Sequence, residues 1–147
     1  MIILKKSFFI LIVLFCCEEF YGQTQATLDS LMVEYKECIT IRKDRVNCTK
    51  ELFWVYQDLQ FDFHNQTLKG LDSIAKKKKN LECSEWVKTK DFFVGNELMK
   101  FKRKHPNEKI SAPSKASEND AYAAFKNICD FIMLRLKRLL VEIESSK

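Results

Sequence analysis

Apolar residues recur at three- and four-residue steps along most of this chain, a period that predicts helices rather than strands. A first helix is expected over about 25–42, where Leu28, Leu31, Met32, Tyr35, Cys38 and Ile39 form one face. The charged run Arg42-Lys43-Asp44-Arg45 breaks it. A second helix is expected from Asn47, whose side chain can accept the orphan amides of Thr49 or Lys50. Its stripe runs through Leu52, Val55, Tyr56, Leu59 and Phe63, and Leu68, Leu71 and Ile74 continue it past Gly70. Phe53, Trp54 and Phe61 widen the stripe, which predicts a central helix with partners on more than one side. Gly70 marks a kink or a close approach.

Lys76 to Lys79 reads as the solvated end of that helix, where cations complement the dipole. Contact with an anionic surface is the sharper alternative for this run. A third helix over about 81–103 carries Trp86, Phe93, Met99 and Phe101 and closes on Lys102-Arg103-Lys104. His105-Pro106-Asn107 stops it, and 105–118 is the one clear loop, long enough to be mobile or to serve as an interaction loop. The fourth helix starts near Ser117 or Asn119 and is the most regular. Ala121, Phe125, Ile128, Ile132, Leu136, Leu139 and Ile143 form its stripe, with Arg135, Lys137 and Arg138 on a basic side.

Length and composition narrow this pattern to one architecture. The chain has 147 residues, with 3 Gly and 2 Pro. That is one domain, poor in turn formers for a sheet. An all-α fold follows: a small bundle of about four antiparallel helices. Residues 1–22 read as a signal peptide, with Lys5 and Lys6 ahead of an apolar run from Ser7 to Cys17 that is too short to span a bilayer. The cut is placed after Gly22, leaving 23–147 as the mature domain in the periplasm or outside the cell. A lipoprotein anchor through Cys16 or Cys17 is the rival, and the bulk of Phe15 argues against it.

The net charge is +5, and the leader's two Lys and two Glu cancel, so the mature chain keeps it. Without an arginine cluster or an aromatic-interleaved basic stripe, nucleic acid is not an expected partner. Four cysteines follow the leader: Cys38, Cys48, Cys83 and Cys129. An even count in an exported chain suggests two disulfides that staple the bundle, and three pairings are open. Cys38 and Cys48 straddle the first break, and Cys83 and Cys129 lie on the third and fourth helices. With no C-x-x-C or C-x-x-H, no metal is expected.

Catalytic constellations are not apparent. His64 reads as a polar flank and His105 as a loop residue, and neither has a nucleophile or carboxylate at a triad-like spacing. Asp58 and Asp62 form an i, i+4 pair that reads as solvent-facing, and no glycine-rich phosphate loop occurs. The expectation is a non-catalytic binding protein without a cofactor.

Three pieces carry a resemblance. They are Cys38 followed by Asn47-Cys48-Thr49, the aromatic helix from Tyr56-Gln57-Asp58-Leu59 through Phe63, Leu68 and Leu71, and Trp86-Val87-Lys88-Thr89-Lys90-Asp91. Together they resemble the lysozyme inhibitor LprI-like (DUF1311) domain family of exported bacterial helical proteins. The resemblance spans about 33–100, with the helix at about 118–145 as the trailing helix. Trp86, Lys90 and Asp91 match its W-I-x-[FY]-R-D motif, with Lys90 in place of the arginine. Lysozyme inhibition is the function this resemblance implies, although a +5 chain would repel a basic lysozyme. Physically, Trp86 reads as a packing anchor. Lys90 and Asp91, being adjacent, are expected to reach different neighbours rather than each other. The alternative is a secreted short-chain four-helix cytokine resembling interleukin-4 and interleukin-13. The short first connection argues against the long crossovers of that class.

Overall fold

The computed structural model describes residues 24–146, and the expected signal peptide lies outside the described residues. Four helices follow one another: α1 (Thr24–Arg42), α2 (Arg45–Thr67), α3 (Ser73–Lys104) and α4 (Glu118–Ser145). No strand is present among the described residues, so the all-α expectation holds.

The boundaries are set by caps. Between α1 and α2 the chain turns in two residues, with Lys43 at φ 55°. Asp44 is the N-cap of α2, and its carboxylate accepts the Asn47 amide at 3.0 Å and the Asn47 side chain at 2.6 Å. Asn47, expected to be the cap, is instead a residue inside the first turn. An ionised carboxylate next to the break meets the positive helix end better than a neutral amide three residues on.

α2 also ends earlier than its apolar stripe suggests. It stops at Thr67, and Gly70 adopts φ 74°, a left-handed conformation that glycine reaches without a Cβ clash. Asp72 then caps α3 by accepting the Ala75 amide at 2.8 Å. Lys76 to Lys79 therefore lie in the first two turns of α3 and do not end the preceding helix. Cations there oppose the helix dipole.

Successive helices run antiparallel. Gln57, Gln60 and His64 of α2 meet Lys90, Cys83 and Asn80 of α3 in reverse order. Lys79 and Lys104 of α3 reach Glu142 and Asp120 of α4. α2 and α4 thus share a direction, and they form the central pair. The core is built from Tyr56 and Phe63 of α2 with Ile128, Ile132, Leu136 and Leu139 of α4. Every residue of the stripe expected on α4 is buried. α1 contributes one fully buried core residue, Leu28, with Met32 and Tyr35 packed partly against the same cluster.

A smaller cluster of Val46, Phe101, Ala121 and Phe125 closes the end of the bundle where α3 stops and α4 begins, and Ile110 docks on it. The connecting loop is organised by Glu108. Its carboxylate accepts the Ser114 amide at 2.8 Å, the Ser114 hydroxyl at 3.0 Å and the Ser117 hydroxyl. These bonds hold the Glu108 carboxyl below its ordinary range, the Ser117 hydroxyl contributing most.

Candidate functional site

The residues of the tryptophan motif lie at the junction of α2, α3 and α4. Trp86 is half-buried, and its ring lies near-parallel to Phe131 of α4 at 6.4 Å. Phe93, two turns along α3, stacks on the same Phe131 at 4.4 Å. Two cations flank the indole: Lys90 Nζ and Arg135 Cζ each lie 5.9 Å from its ring centre. Lys90 is buried, and its ammonium donates to Gln57 Oε1 of α2 at 2.7 Å.

Lys90 also approaches Asp91 Oδ1 at 3.3 Å. The expectation that these adjacent residues would not meet is therefore corrected. The lysine stem is long enough to curl its ammonium back across the roughly 100° between neighbouring side chains. The other half of that expectation, contact with a neighbouring helix, is met through Gln57. The motif has the character of a packing junction: an aromatic stack sealed by two cations, with Asp91 alone among the three exposed.

Of the four cysteines, Cys38 and Cys48 are disulfide-bonded, with Cα atoms 5.9 Å apart, and they staple the end of α1 to the start of α2. Cys83 and Cys129 are free and buried, so no second bridge ties α3 to α4. The reason is their level along α2. Gln60 Nε2 donates to Cys83 Sγ at 3.6 Å, whereas Cys129 Sγ donates to the Thr49 carbonyl at 3.5 Å. Eleven residues of helix separate those partners, about 16 Å. Burial, with the nearby Asp130 charge, pushes the Cys129 thiol up to about 12, so it stays a thiol and is not a nucleophile.

One of the two histidines differs from expectation. His64 is buried rather than on a polar flank, because it faces α3, where Nε2 lies 3.0 Å from Asn80 Oδ1. His105, in the loop as expected, is half-buried, its ring tilted against Phe101 at 4.9 Å and bonded to Asp120 at 2.8 Å. No group of His, Cys, Asp and Glu among the described residues is arranged to hold a metal ion.

Two grooves open beside α1. One, of about 390 Å³ between α1, α2 and α4, is walled by Met32, Tyr35, Tyr56, Tyr122 and Met133. Tyr35 shares a hydrogen bond with Thr49 at 2.9 Å, and burial pushes its phenol up to about 12. Burial raises the Tyr56 phenol as well, and its hydroxyl donates to Met32 Sδ at 3.2 Å. This groove sets neutral hydroxyls beside apolar side chains, with Asp29, Lys126, Asp130 and Lys137 also lining it. The other, of about 380 Å³ between α1 and α2, lies over the disulfide and has acidic walls, with Glu34, Glu37 and Glu51 beside Ile41 and Val55.

The second groove continues onto the outer face of α2 through Glu51 and Val55. At about 100° per residue, Glu51, Val55, Asp58 and Asp62 fall along one line, with Trp54 and Phe61 on its shoulder. All six are exposed: Trp54 by 60%, Phe61 by 47% and Val55 by 37%. This face is opposite the one that buries Tyr56, Gln60 and Phe63. Arg42 is its cationic neighbour and forks onto Glu51 at 2.9 and 3.0 Å. Sequence reasoning assigned Trp54 and Phe61 to a widened core stripe. The signal that places them outside was the Asp58–Asp62 pair, already read as solvent-facing: Trp54 is four residues before Asp58 and Phe61 three after it, so all share a face.

Charge is unevenly shared between the helices. α3 carries ten lysines and arginines against four acids, a surplus of six that exceeds the +5 of the whole chain. α1 and α2 each carry two cations and three acids. Comparison with known proteins adds no relative: no family model, no curated protein and no solved structure matches this chain.

Proposed function

We propose that this chain is an exported, non-catalytic helical binding protein that recognises a basic protein through the acidic, aromatic face of α2 and the adjoining α1–α2 groove. The observation that carries this reading is the outward display of Trp54 and Phe61 beside Asp58 and Asp62. Large exposed aromatics beside a row of carboxylates are the kind of residue that carries binding energy, and Lys50 and Arg42 are the cations nearest them. The LprI-like resemblance names lysozyme as the basic partner to test first. The repulsion expected from a +5 chain loses its force, because the surplus resides on α3. A partner approaching α2 meets Glu34, Glu37, Glu51, Asp58 and Asp62 first, and at physiological ionic strength charges more than about 8 Å away are largely screened, so local charge governs the encounter.

Export is supported by the Cys38–Cys48 disulfide, which persists in oxidising compartments. No helix among the described residues is long and apolar enough to cross a membrane. The two-residue link between α1 and α2 gives no support to a cytokine topology, which uses long crossovers.

The test is a lysozyme cell-wall lysis assay at low salt. The protein is expected to slow lysis, and Trp54→Ala is expected to weaken the effect about thirtyfold, the loss typical of a hot-spot aromatic. Asp58→Lys with Asp62→Lys should abolish it. No slowing at a large molar excess would remove lysozyme as the partner. Undiminished slowing by the Trp54 and Asp58/Asp62 variants would remove α2 as the surface.

A further inference from the structure

α3 presents a second apolar line, on the side turned away from the bundle. Ile74, Leu81, Phe92 and Met99 are exposed by 81%, 61%, 73% and 58%. Their spacings are seven, eleven and seven residues. At about 100° per residue these steps return to the same direction, so all four lie within about 20° of one line. Cys83, Lys90, Glu97 and Phe101, which face the bundle, lie on the opposite side of the same helix. Lys77, Lys78, Lys88 and Arg103 flank the outer line within about 60°, and Glu85 is the one acid there.

Of the lysine run, Lys79 alone has an ion pair across the bundle. Lys76 to Lys79 occupy the first two turns of α3, near the positive end of the helix dipole, and like charges at adjacent positions repel. Lys79 is stabilised by Glu142 of α4 at 2.7 Å and by Glu82 at 3.7 Å, but Lys77 and Lys78 point along the outer line. A local cost kept together with four outward apolar side chains points to a ligand that meets both.

We propose that the outer face of α3 docks on an anionic lipid surface, with Ile74, Leu81, Phe92 and Met99 entering the headgroup layer and Lys77, Lys78, Lys88 and Arg103 meeting lipid phosphates. The chemistry of the flanks, four cations to one acid, requires a negative surface. The spacing favours lipid over an acidic protein. A helix recognised by a protein groove presents anchors at i, i+3 or i+4 and i+7, packed into one patch. Here the anchors are about 10 to 17 Å apart along roughly 38 Å of helix, at 1.5 Å per residue, too sparse for a hot spot and suited to a flat, continuous surface. Interfacial helices bind by combining apolar side chains that enter the headgroup boundary with Lys and Arg that are attracted to anionic lipids. The inference is independent of the α2 surface and concerns a different ligand.

The protein recovered from an exporting host is mixed at low salt with phosphatidylcholine vesicles that contain or lack about one-third phosphatidylglycerol, and the bound fraction is read by co-sedimentation. Partitioning onto the anionic vesicles is expected to exceed that onto the neutral ones by at least about tenfold. Lys77→Gln with Lys78→Gln should weaken it about thirtyfold, at the per-lysine attraction of an anionic surface. Leu81→Gln with Phe92→Gln should weaken it about tenfold or more. All four side chains are exposed, and circular dichroism of each variant should match the parent. Equal binding to neutral vesicles, or no loss in the lysine variant, overturns the proposal. Loss in the lysine variant with none in the Leu81/Phe92 variant shows diffuse polybasic adsorption and also overturns it. Capture by an acidic protein without any vesicle binding would assign the face to that protein instead.

Discussion

Breaking the Cys38–Cys48 bridge tests what holds α1 in place. The two cysteines are ten residues apart, and the loop-closure relation gives about 2.7 kcal/mol at 25 °C for a loop of that length. Beyond the bridge, α1 is held by Leu28, its one fully buried core residue and a contribution of about 1.5–3 kcal/mol, by partial contacts of Met32 and Tyr35, and by the Tyr35–Thr49, Tyr56–Met32 and Arg42–Glu51 bonds. The bridge is thus comparable to the helix's own packing. Reduction is cleaner than substitution, because Cys48 is buried and a replacement there would alter the core. A reductant finds no other disulfide among the described residues, where Cys83 and Cys129 are already thiols. In a domain of this size 1 kcal/mol moves the midpoint by about 4 °C, so reduction should lower Tm by about 10 °C. Hydrogen exchange should show the loss concentrated in α1, with Ile132 and Leu136 keeping their protection. A Tm shift below about 2 °C, or α1 amides as protected as those of α4 after reduction, would refute the reasoning.

Two further perturbations separate packing from charge. Trp86→Ala should cost about 2 kcal/mol, less than the 3–5 kcal/mol of a fully buried aromatic, because the indole is half-exposed between Lys90 and Arg135. Urea melts measure it, and an unchanged midpoint would move Trp86 from packing to recognition. Burial of Glu97 opposes its ionisation. The hydrogen bond from Asn127 at 2.9 Å and the Lys100 ammonium outweigh that and hold its carboxyl below the ordinary range. The ionised form therefore stabilises the fold above the unfolded pKa of about 4.3, and this contribution disappears as pH falls through the lower folded value. Glu97→Gln should be less stable than the parent at pH 7, with the difference narrowing towards pH 3; an equal difference at both would refute the charge account.

The fold was legible where burial follows one strong period. On α4 the stripe from Ala121 to Ile143 recurs at three and four residues without interruption, and all of it is core. The end of α2 was not legible, because Leu68, Leu71 and Ile74 continue the apolar beat while serving other purposes. Ile74 belongs to the outer line of α3 and is 81% exposed. A local signal outweighs the beat there: a glycine at positive φ followed by an aspartate cap. The buried polar groups were hidden for another reason. Lys90 finds Gln57 from 33 residues away, and Glu97 finds Asn127 from 30. Pairs of that kind leave no periodic trace, and each residue alone reads as surface. The second disulfide failed for the same reason in reverse: an even cysteine count says nothing of the level each thiol takes along α2.

Whole-chain charge was the least informative number, because opposite faces of the molecule contradict it. The +5 total predicts repulsion of basic proteins by the chain as a sphere. The helices divide that charge, with a surplus of six on α3 and a deficit of one on each of α1, α2 and α4. At physiological ionic strength a charge is screened beyond about 8 Å, less than the diameter of one helix with its side chains. A ligand at α2 therefore meets mainly α2 and α1, and a ligand at α3 meets mainly lysines. The two proposed partners, a basic protein at the Trp54 face and an anionic surface along Phe92, are thus compatible with each other. Salt should weaken both contacts, but the Asp58 and Asp62 variants should affect only the first and the Lys77 and Lys78 variants only the second.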